Sequence, residues 1–507
     1  MKSARPIMIQ GTMSSAGKSL ITAGLCRIFH QDGYAVAPFK SQNMALNSYV
    51  TADGLEMGRA QVLQAQASRL EPSVDMNPIL LKPTSEMGSQ LIVNGEVRGQ
   101  YSAADYFALK ASLIPDIIAA YSRLSARHDI IVLEGAGSPA EINLKQDDIV
   151  NMGMAELVDA PVILVGDIDR GGVFASLYGT LALLTAAERQ RVKGLVINKF
   201  RGDVQILQPG LSMLEDLTGV PVLGVIPMLN LQLDDEDGES ERLTRRSAAR
   251  DNQLDIAVIR LPRIANFTDF NVFEQIPGVH LRYVRQLKEL GIPDLIILPG
   301  SKNTLADLEW LNTIGFAGTI CRHAAMGMPV AGICGGYQML GQEILDPLGV
   351  EQGGCQSGLG LLPGRTVFNR QKTRTRIKGM ALIPGSNAQT AVEGYEIHMG
   401  ITEITGSDLA RPLINLEDGR QDGMASADGL IWGSYLHGLF DNAGFTSSFL
   451  ADLWRRKDPS YQFDQMACAA IDVAVLREQE MNNLADAMRS ALDMAAIYAL
   501  VLKGDPR

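Results

Sequence analysis

The chain has 507 residues, enough for two or three domains with buried cores, and 46% apolar with 20% charged residues is the balance of a folded globular protein. A formal charge of −12 excludes a general affinity for nucleic acid or anionic membrane, so any acidic substrate must be met by local basic residues. The five cysteines, Cys26, Cys321, Cys334, Cys355 and Cys468, are scattered and form no metal-ligand or redox pair. With no apolar run long enough to span a bilayer and no signal-peptide pattern at the start, they predict a cytoplasmic protein.

In the first half, short apolar runs rich in β-formers alternate with helical patterns, which predicts parallel strands joined by crossover helices. Strands are expected at 7–9, 35–39, 130–133, 162–165, 194–197 and 222–225. Residues 229–253 turn densely acidic and then basic, and read as a linker after a first domain over 1–228. A second alternating set fills 254–445, with strands expected at 256–259, 295–298, 330–333, 358–362, 395–397 and 431–434. From 446 to 507 the pattern is helical, and its Met and Leu stripe reads as a packing surface. The expected fold class is α/β: two doubly wound, mostly parallel-sheet domains followed by a helical C-terminal segment.

Residues 10–19 read QGTMSSAGKS. Against the usual G-x-x-x-x-G-K-[ST] phosphate loop, Gly17, Lys18 and Ser19 supply the second half. Thr12 holds the first glycine's position, with Gly11 one residue earlier. The physics survives that change. A strand ends near Gln10, small residues turn, and a helix begins with its N–H groups facing outward, where backbone donors and the helix dipole bind phosphate. Lys18 is expected along the β and γ phosphates of ATP, and the Ser19 hydroxyl on Mg²⁺. The spacing resembles the dethiobiotin synthetase group, which uses ATP to phosphorylate a carboxylate. That resemblance implies Glu134, in IIVLEGAGSP, as the Mg²⁺-binding acid and Asn198, in GLVINKF, as the residue that reads adenine.

Around Cys334 the sequence is MPVAGICGGYQMLG. An apolar strand runs into a cysteine framed by Gly332, Gly335 and Gly336, so the thiol is expected to stand out of a tight turn at a helix N-terminus, which favours thiolate. The geometry parallels the nucleophile elbow of hydrolases, with Cys in place of Ser. Of the histidines that could act as base, His437 follows an apolar strand, His398 lies in a strand pattern, and His323 sits in a predicted helix as a surface or structural residue. These motifs resemble class I glutamine amidotransferases, which release ammonia from glutamine through a cysteine thioester. The resemblance implies Cys334 as nucleophile, His437 as general base, the N–H groups near Gly300 and Gly335 as oxyanion donors, and Gln338 as a contact to glutamine. Most members read His-Pro-Glu where this chain reads His437-Gly438-Leu439. Either a Cys–His dyad suffices or another group orients His437, and Glu396 is the expected orienter.

The two halves, in this order, closely resemble the cobyric acid synthases of cobalamin biosynthesis. The stretches that carry this are FKSQNMALNSYVT, LKPTSEMGSQLIVNG, VGDIDRGGVFASLYGT, LPRIANFTDF and GYEIHMG. The family implies amidation of the b, d, e and g carboxylates of adenosylcobyrinic acid a,c-diamide, each step using ATP and L-glutamine. Lys40, Asn43, Lys82 and Arg170 are available to a corrinoid with several carboxylates. The expected partners are these small molecules, with no nucleic acid and no membrane, and a homo-oligomer is possible. The nearest rival is the a,c-diamide synthase, but SQNMALNS after Lys40 departs from its pattern. A partitioning-type switch ATPase would carry a lysine near Met13 or Ser14, where this chain has none. A binding protein with a degenerate glutaminase domain is supported only by the missing glutamate after His437.

Overall fold

The computed structural model describes residues 4–84, 88–233, 243, 252–406 and 410–502. Most of the expected linker, 234–242 and 244–251, lies outside the described residues.

Among the described residues, six parallel strands form the first sheet, in the order Val222–Pro227, Val192–Phe200, Val162–Asp167, Arg5–Gly11, Ile130–Glu134, Val36–Phe39. Their near-continuous apolar runs suit a sheet covered on both faces. Arg5–Gly11 is central, between Val162–Asp167 and Ile130–Glu134, so its C-terminal end opens at a point where the strand order reverses. The helix Lys18–Gln31 starts there. After the strand Val36–Phe39 the chain inserts a small sheet, Gln42–Met44, Ile79–Pro83, Gly88–Val93 and Glu96–Ser102, which the sequence reading did not anticipate.

The second half is built on a mixed sheet. Val279–Val284, Leu254–Ile259, Leu295–Leu298, Val330–Ile333 and Ile431–Ser434 are parallel. Beyond Ile431–Ser434 the sheet continues antiparallel through Gln421–Ser426, Ala410–Leu416 and the long hairpin Gly364–Leu382 with Gln389–Ile404. The strand expected at 358–362 does not form. Its backbone N–H groups are taken by the turn beneath it: Gly358 donates to Gln342 O (2.9 Å), Leu359 to Met339 O (2.8 Å) and Leu361 to Leu340 O (2.9 Å).

The C-terminal segment divides. Phe445, Phe449, Trp454 and Cys468 join the core of the second half. The helix Val473–Ala491 returns to the first half, where Met481, Leu484 and Met488 pack with Ile21, Leu25 and Phe29 of the helix after the phosphate loop. The helices meet at Gly24, where a Cβ would lie 2.1 Å from Met488 Sδ, and Arg27 pairs with Glu478 at 2.6 Å. Among the described residues, no helix is long and apolar enough to cross a membrane.

Candidate active site

The phosphate loop closes on itself. Ser15 and Gly17 adopt left-handed φ of 59° and 97°, and Lys18 Nζ curls back to donate to Met13 O (2.9 Å) and Gly137 O (3.1 Å). Ser19 Oγ donates to Glu134 Oε1 (2.8 Å). Glu134 ends its strand 1% exposed, and a buried carboxylate needs partners. Lys40 Nζ supplies Oε1 (2.8 Å) and Gln64 Nε2 supplies Oε2 (2.6 Å). The Thr12 N–H caps Val165 O (2.9 Å), while its hydroxyl is buried without a hydrogen-bond partner among the described residues. Asn198 packs against the loop. Its Nδ2 donates to Ala16 O (2.9 Å), and a Cβ at Gly17 would lie 2.1 Å from it.

Lys18, Ser19, Glu134, Lys40, Asn43 and Arg170 line one cavity of about 1280 Å³. That exceeds the ~300–1,000 Å³ of an ordinary small-molecule pocket, so there is room for a nucleotide and a second ligand. Lys82, expected with them, is elsewhere. Successive side chains of a strand point to opposite faces. Leu81 and Pro83 line the large cavity, while Lys82 and Thr84 line a second, smaller one with Cys334 and His437.

Cys334 joins the strand Val330–Ile333 to the helix Gly335–Leu340 with φ 52°, ψ −110°. The turn is possible because its neighbours lack side chains. A Cβ at Gly336 would lie 1.9 Å from Leu298 O, and one at Gly335 would lie 2.9 Å from Ser301 N. Gly300 pairs with Ala265 and lines the cavity with Ser301, Gly335 and Cys334. Gln338 is held through both ends of its amide: Thr304 Oγ1 donates to Oε1 (3.0 Å), and Nε2 donates to the Tyr435 hydroxyl (3.2 Å).

His437 lies in hydrogen-bonding reach of Cys334. Its orienter is Asp269, not Glu396. Asp269 Oδ2 accepts from His437 Nδ1 (2.6 Å), and Oδ1 accepts from Gly438 N (3.1 Å), which leaves Nε2 for the cysteine side. Burial opposes the imidazolium, but the Asp269 carboxylate, through charge and hydrogen bond, and then Cys334 lift the imidazole to about 10. Glu396 fails for a reason of pleat. Its neighbour Tyr395 pairs with His437 through backbone bonds and stacks on the ring at 5.3 Å, so Glu396 points to the opposite face. There it accepts from Arg420 Nη1 (3.0 Å). His398 stacks on Tyr435, with Nδ1 2.7 Å from Gly400 O. His323 is buried between Thr319 O (2.8 Å) and Gly291 O (3.1 Å), in a structural position.

Asp269 lies within LPRIANFTDF, 168 residues before His437. No spacing rule connects the two; the only signal was that this stretch is shared with the family. The same stretch joins the halves. Asn266 N donates to Asn47 Oδ1 (2.7 Å), and Ser48 N donates to Asn266 Oδ1 (2.9 Å). Asn266 Nδ2 lies 3.4 Å from His437 Nε2.

Residues 7–238 match the CobQ/CobB/MinD/ParA nucleotide binding domain, and residues 255–445 match the CobB/CobQ-like glutamine amidotransferase domain. A protein of Ruminiclostridium cellulolyticum named cobyric acid synthase is 54% identical over 99% of this chain and 98% of its own length. Proteins of the same name from Lachnoclostridium phytofermentans and Photorhabdus laumondii are 51% and 53% identical, covering 99% and 97% of this chain and 100% and 97% of their own. With that identity sustained over essentially its whole length, the chain belongs to the cobyric acid synthase family.

Proposed function

We propose that the protein is a glutamine-dependent amide synthetase acting on adenosylcobyrinic acid a,c-diamide. It converts the b, d, e and g carboxylates to amides and yields adenosylcobyric acid, with one ATP hydrolysed per amide. The name shared by its relatives supports the substrate. The observation that carries the chemistry is that one chain holds both an oriented Cys–His–Asp set and a phosphate loop, on opposite faces of a single strand, Ile79–Pro83.

In the smaller cavity, Cys334 Sγ attacks the side-chain carboxamide of glutamine as the thiolate whose proton already rests on His437, held there by Asp269. The N–H groups near Gly300 and Gly335 receive the developing oxyanion, and Gln338 positions the amide. His437 then protonates the departing nitrogen, ammonia leaves, and water hydrolyses the thioester to glutamate. In the larger cavity, the phosphate loop and Lys18 hold ATP while a substrate carboxylate attacks the γ phosphorus, the bond to the β–γ bridging oxygen breaks and ADP leaves. Ammonia displaces phosphate from the acyl phosphate and gives the amide. Asn198, packed against the loop, is the residue proposed to read adenine. Ser19 and Glu134, joined at 2.8 Å, fit a site for Mg²⁺, which keeps its waters and phosphate oxygens besides one or two protein ligands. Held there by Ser19 and Glu134, the ion would neutralise charge on the phosphates of ATP. On this reading 1–228 activates the acceptor, 254–445 supplies ammonia, and 446–507 is the helical segment that follows.

The test is nitrogen-source dependence. Cys334→Ala should abolish amidation with glutamine and retain it with ammonium salts, measured by counting acid-to-amide steps in the product mass spectrum. Failure of ammonium to rescue would refute the assigned ammonia route.

A further inference from the structure

The smaller cavity is not built by the second half alone. Lys82 enters it from the nucleotide-binding half and meets Lys302, Lys372 and Glu351 beside Cys334 and His437. Lys82 Nζ donates to Ser48 Oγ (2.9 Å) and Glu56 Oε1 (2.9 Å), and Lys372 Nζ donates to Glu56 Oε2 (2.5 Å). Lys302 Nζ reaches Gln90 Oε1 at 3.3 Å. Glu351 accepts from the backbone N–H of Leu305 (3.2 Å) and lies 3.4 Å from Thr304 Oγ1.

Three lysine side chains therefore face two carboxylates, and Glu56, fully buried, is shared by two of the three. Burial pushes Lys372 down to about 7, Glu56 holds against it, and the charges of Lys82 and Lys302 push the same way as burial. Burial, then Lys82, lowers Lys302 as well. Burial raises Glu351, which weakens the one carboxylate that could balance Lys302. A positive surplus beside a nucleophile is a seat for an anion. Glutamine carries one, its α-carboxylate, at the far end from the carboxamide that Cys334 attacks.

We propose that Lys82, Lys302 and Lys372 seat the α-carboxylate of glutamine, with Lys82 delivered across the interface so that the glutaminase site is complete only when the halves are docked. This rests on the glutaminase role of Cys334. The lysines are specificity residues and touch none of the reacting atoms.

The test compares L-glutamine with its α-amide, which keeps the carboxamide and replaces the α-carboxylate, in the full-length enzyme with its acceptor and ATP. Rates are normalised to each variant's own ammonium-supported rate. The wild type should prefer glutamine in kcat/KM by about 10²-fold or more, because the amide leaves buried charges unpaired. Lys82→Met and, separately, Lys302→Met should raise the KM for glutamine about tenfold and bring the preference down by a similar factor, while Lys82→Arg restores most of it. A merely structural lysine would not move this ratio. Should Lys82→Met fail to fold, Lys302→Met, which leaves the Glu56 pairs intact, decides alone. If the wild type uses the α-amide as well as glutamine while Cys334→Ala still kills both, the seat is wrong and the glutaminase reading stands. If Cys334→Ala leaves glutamine turnover intact, the glutaminase reading itself is wrong.

Discussion

The phosphate loop and the cysteine elbow are both turns from a strand into a helix, and they place the strain on different residues. In the loop, Ser15 and Gly17, neither of them the reactive lysine, take left-handed conformations and the fourteen-residue helix behind them begins with Lys18. In the elbow the reactive residue itself has φ 52°, before a helix of only six residues. The difference follows from what each turn presents. A phosphate is gripped by backbone N–H groups, so the permissive residue can be a glycine that carries no chemistry. A nucleophile must project its side chain out of the turn, so it bears the strain itself, at about 1–3 kcal/mol, and the glycines move to the positions around it.

The largest expected effect separates the two turns by nitrogen source. Lys18→Ala should lower amidation about 10³-fold or more with either glutamine or ammonium, because the acceptor must be activated in both cases. Cys334→Ala should spare the ammonium reaction. Amidation by the Lys18 variant at near-normal rate with ammonium would remove the loop from the activation step.

The next effect lies within the elbow. Asp269→Asn should cost about 10²–10⁴-fold in glutamine hydrolysis, since the amide no longer fixes the His437 tautomer. Glu396→Gln, on the opposite face of its strand, should change the same rate by less than about threefold. The reverse order of effects would restore Glu396 as orienter.

That pair of substitutions also marks how far the sequence could be read. The loop was legible because the residues that form its turn lie within ten positions, Gln10 to Ser19, and its geometry is written in local backbone preference. The same holds for Cys334 and its glycines. Asp269 was not legible, because an orienter is chosen by where three distant segments meet, and period-2 reasoning cannot say which face of Gln389–Ile404 turns to His437. The place of Lys82, which the sequence leaves merely available to a corrinoid, is hidden for the same reason. Its strand was hidden in LKPTSEMGSQLIVNG, and only the pairing of Ile79–Pro83 with Gly88–Val93 decides which cavity each side chain enters. The antiparallel extension of the second sheet escaped because long hairpins pair by register between segments, not by a local motif.

Stability against pH offers a smaller handle on the triad. His437 has an imidazole raised to about 10 in the folded protein against an ordinary 6.5. Between those values the folded state holds a proton that the unfolded chain has lost, so stability must fall as pH rises. The pair's contribution is whole below about 6.5 and gone above about 10. The melting temperature of the wild type should therefore exceed that of His437→Asn most at the acid end of pH 6–10, and the gap should close towards pH 10. A gap that widens with pH would mean that His437 is neutral in the folded protein and that Asp269 does not hold its proton.

The smallest expected effect asks whether the two turns differ in what supports them. The elbow helix is wrapped by its own half: all six residues, Gly335 to Leu340, are buried. The loop helix leans on the far end of the chain, where Val473–Ala491 crosses it at Gly24 and Arg27 reaches Glu478 and Asn482. A methyl at position 24 would sit 2.1 Å from Met488 Sδ. Because the obstacle is the end of a flexible side chain, it can swing aside, so Gly24→Ala should cost about 1–2 kcal/mol rather than abolish folding. The loss should be confined to the first half. The KM for ATP should rise about two- to fivefold as the crossing helix loosens, while the glutamine hydrolysis rate, carried by a helix that never touches this crossing, stays within about twofold. Met488→Ala on the same background should recover part of the stability by giving the methyl the space that the thioether occupied, and an additive loss instead would mean that the two residues do not oppose each other.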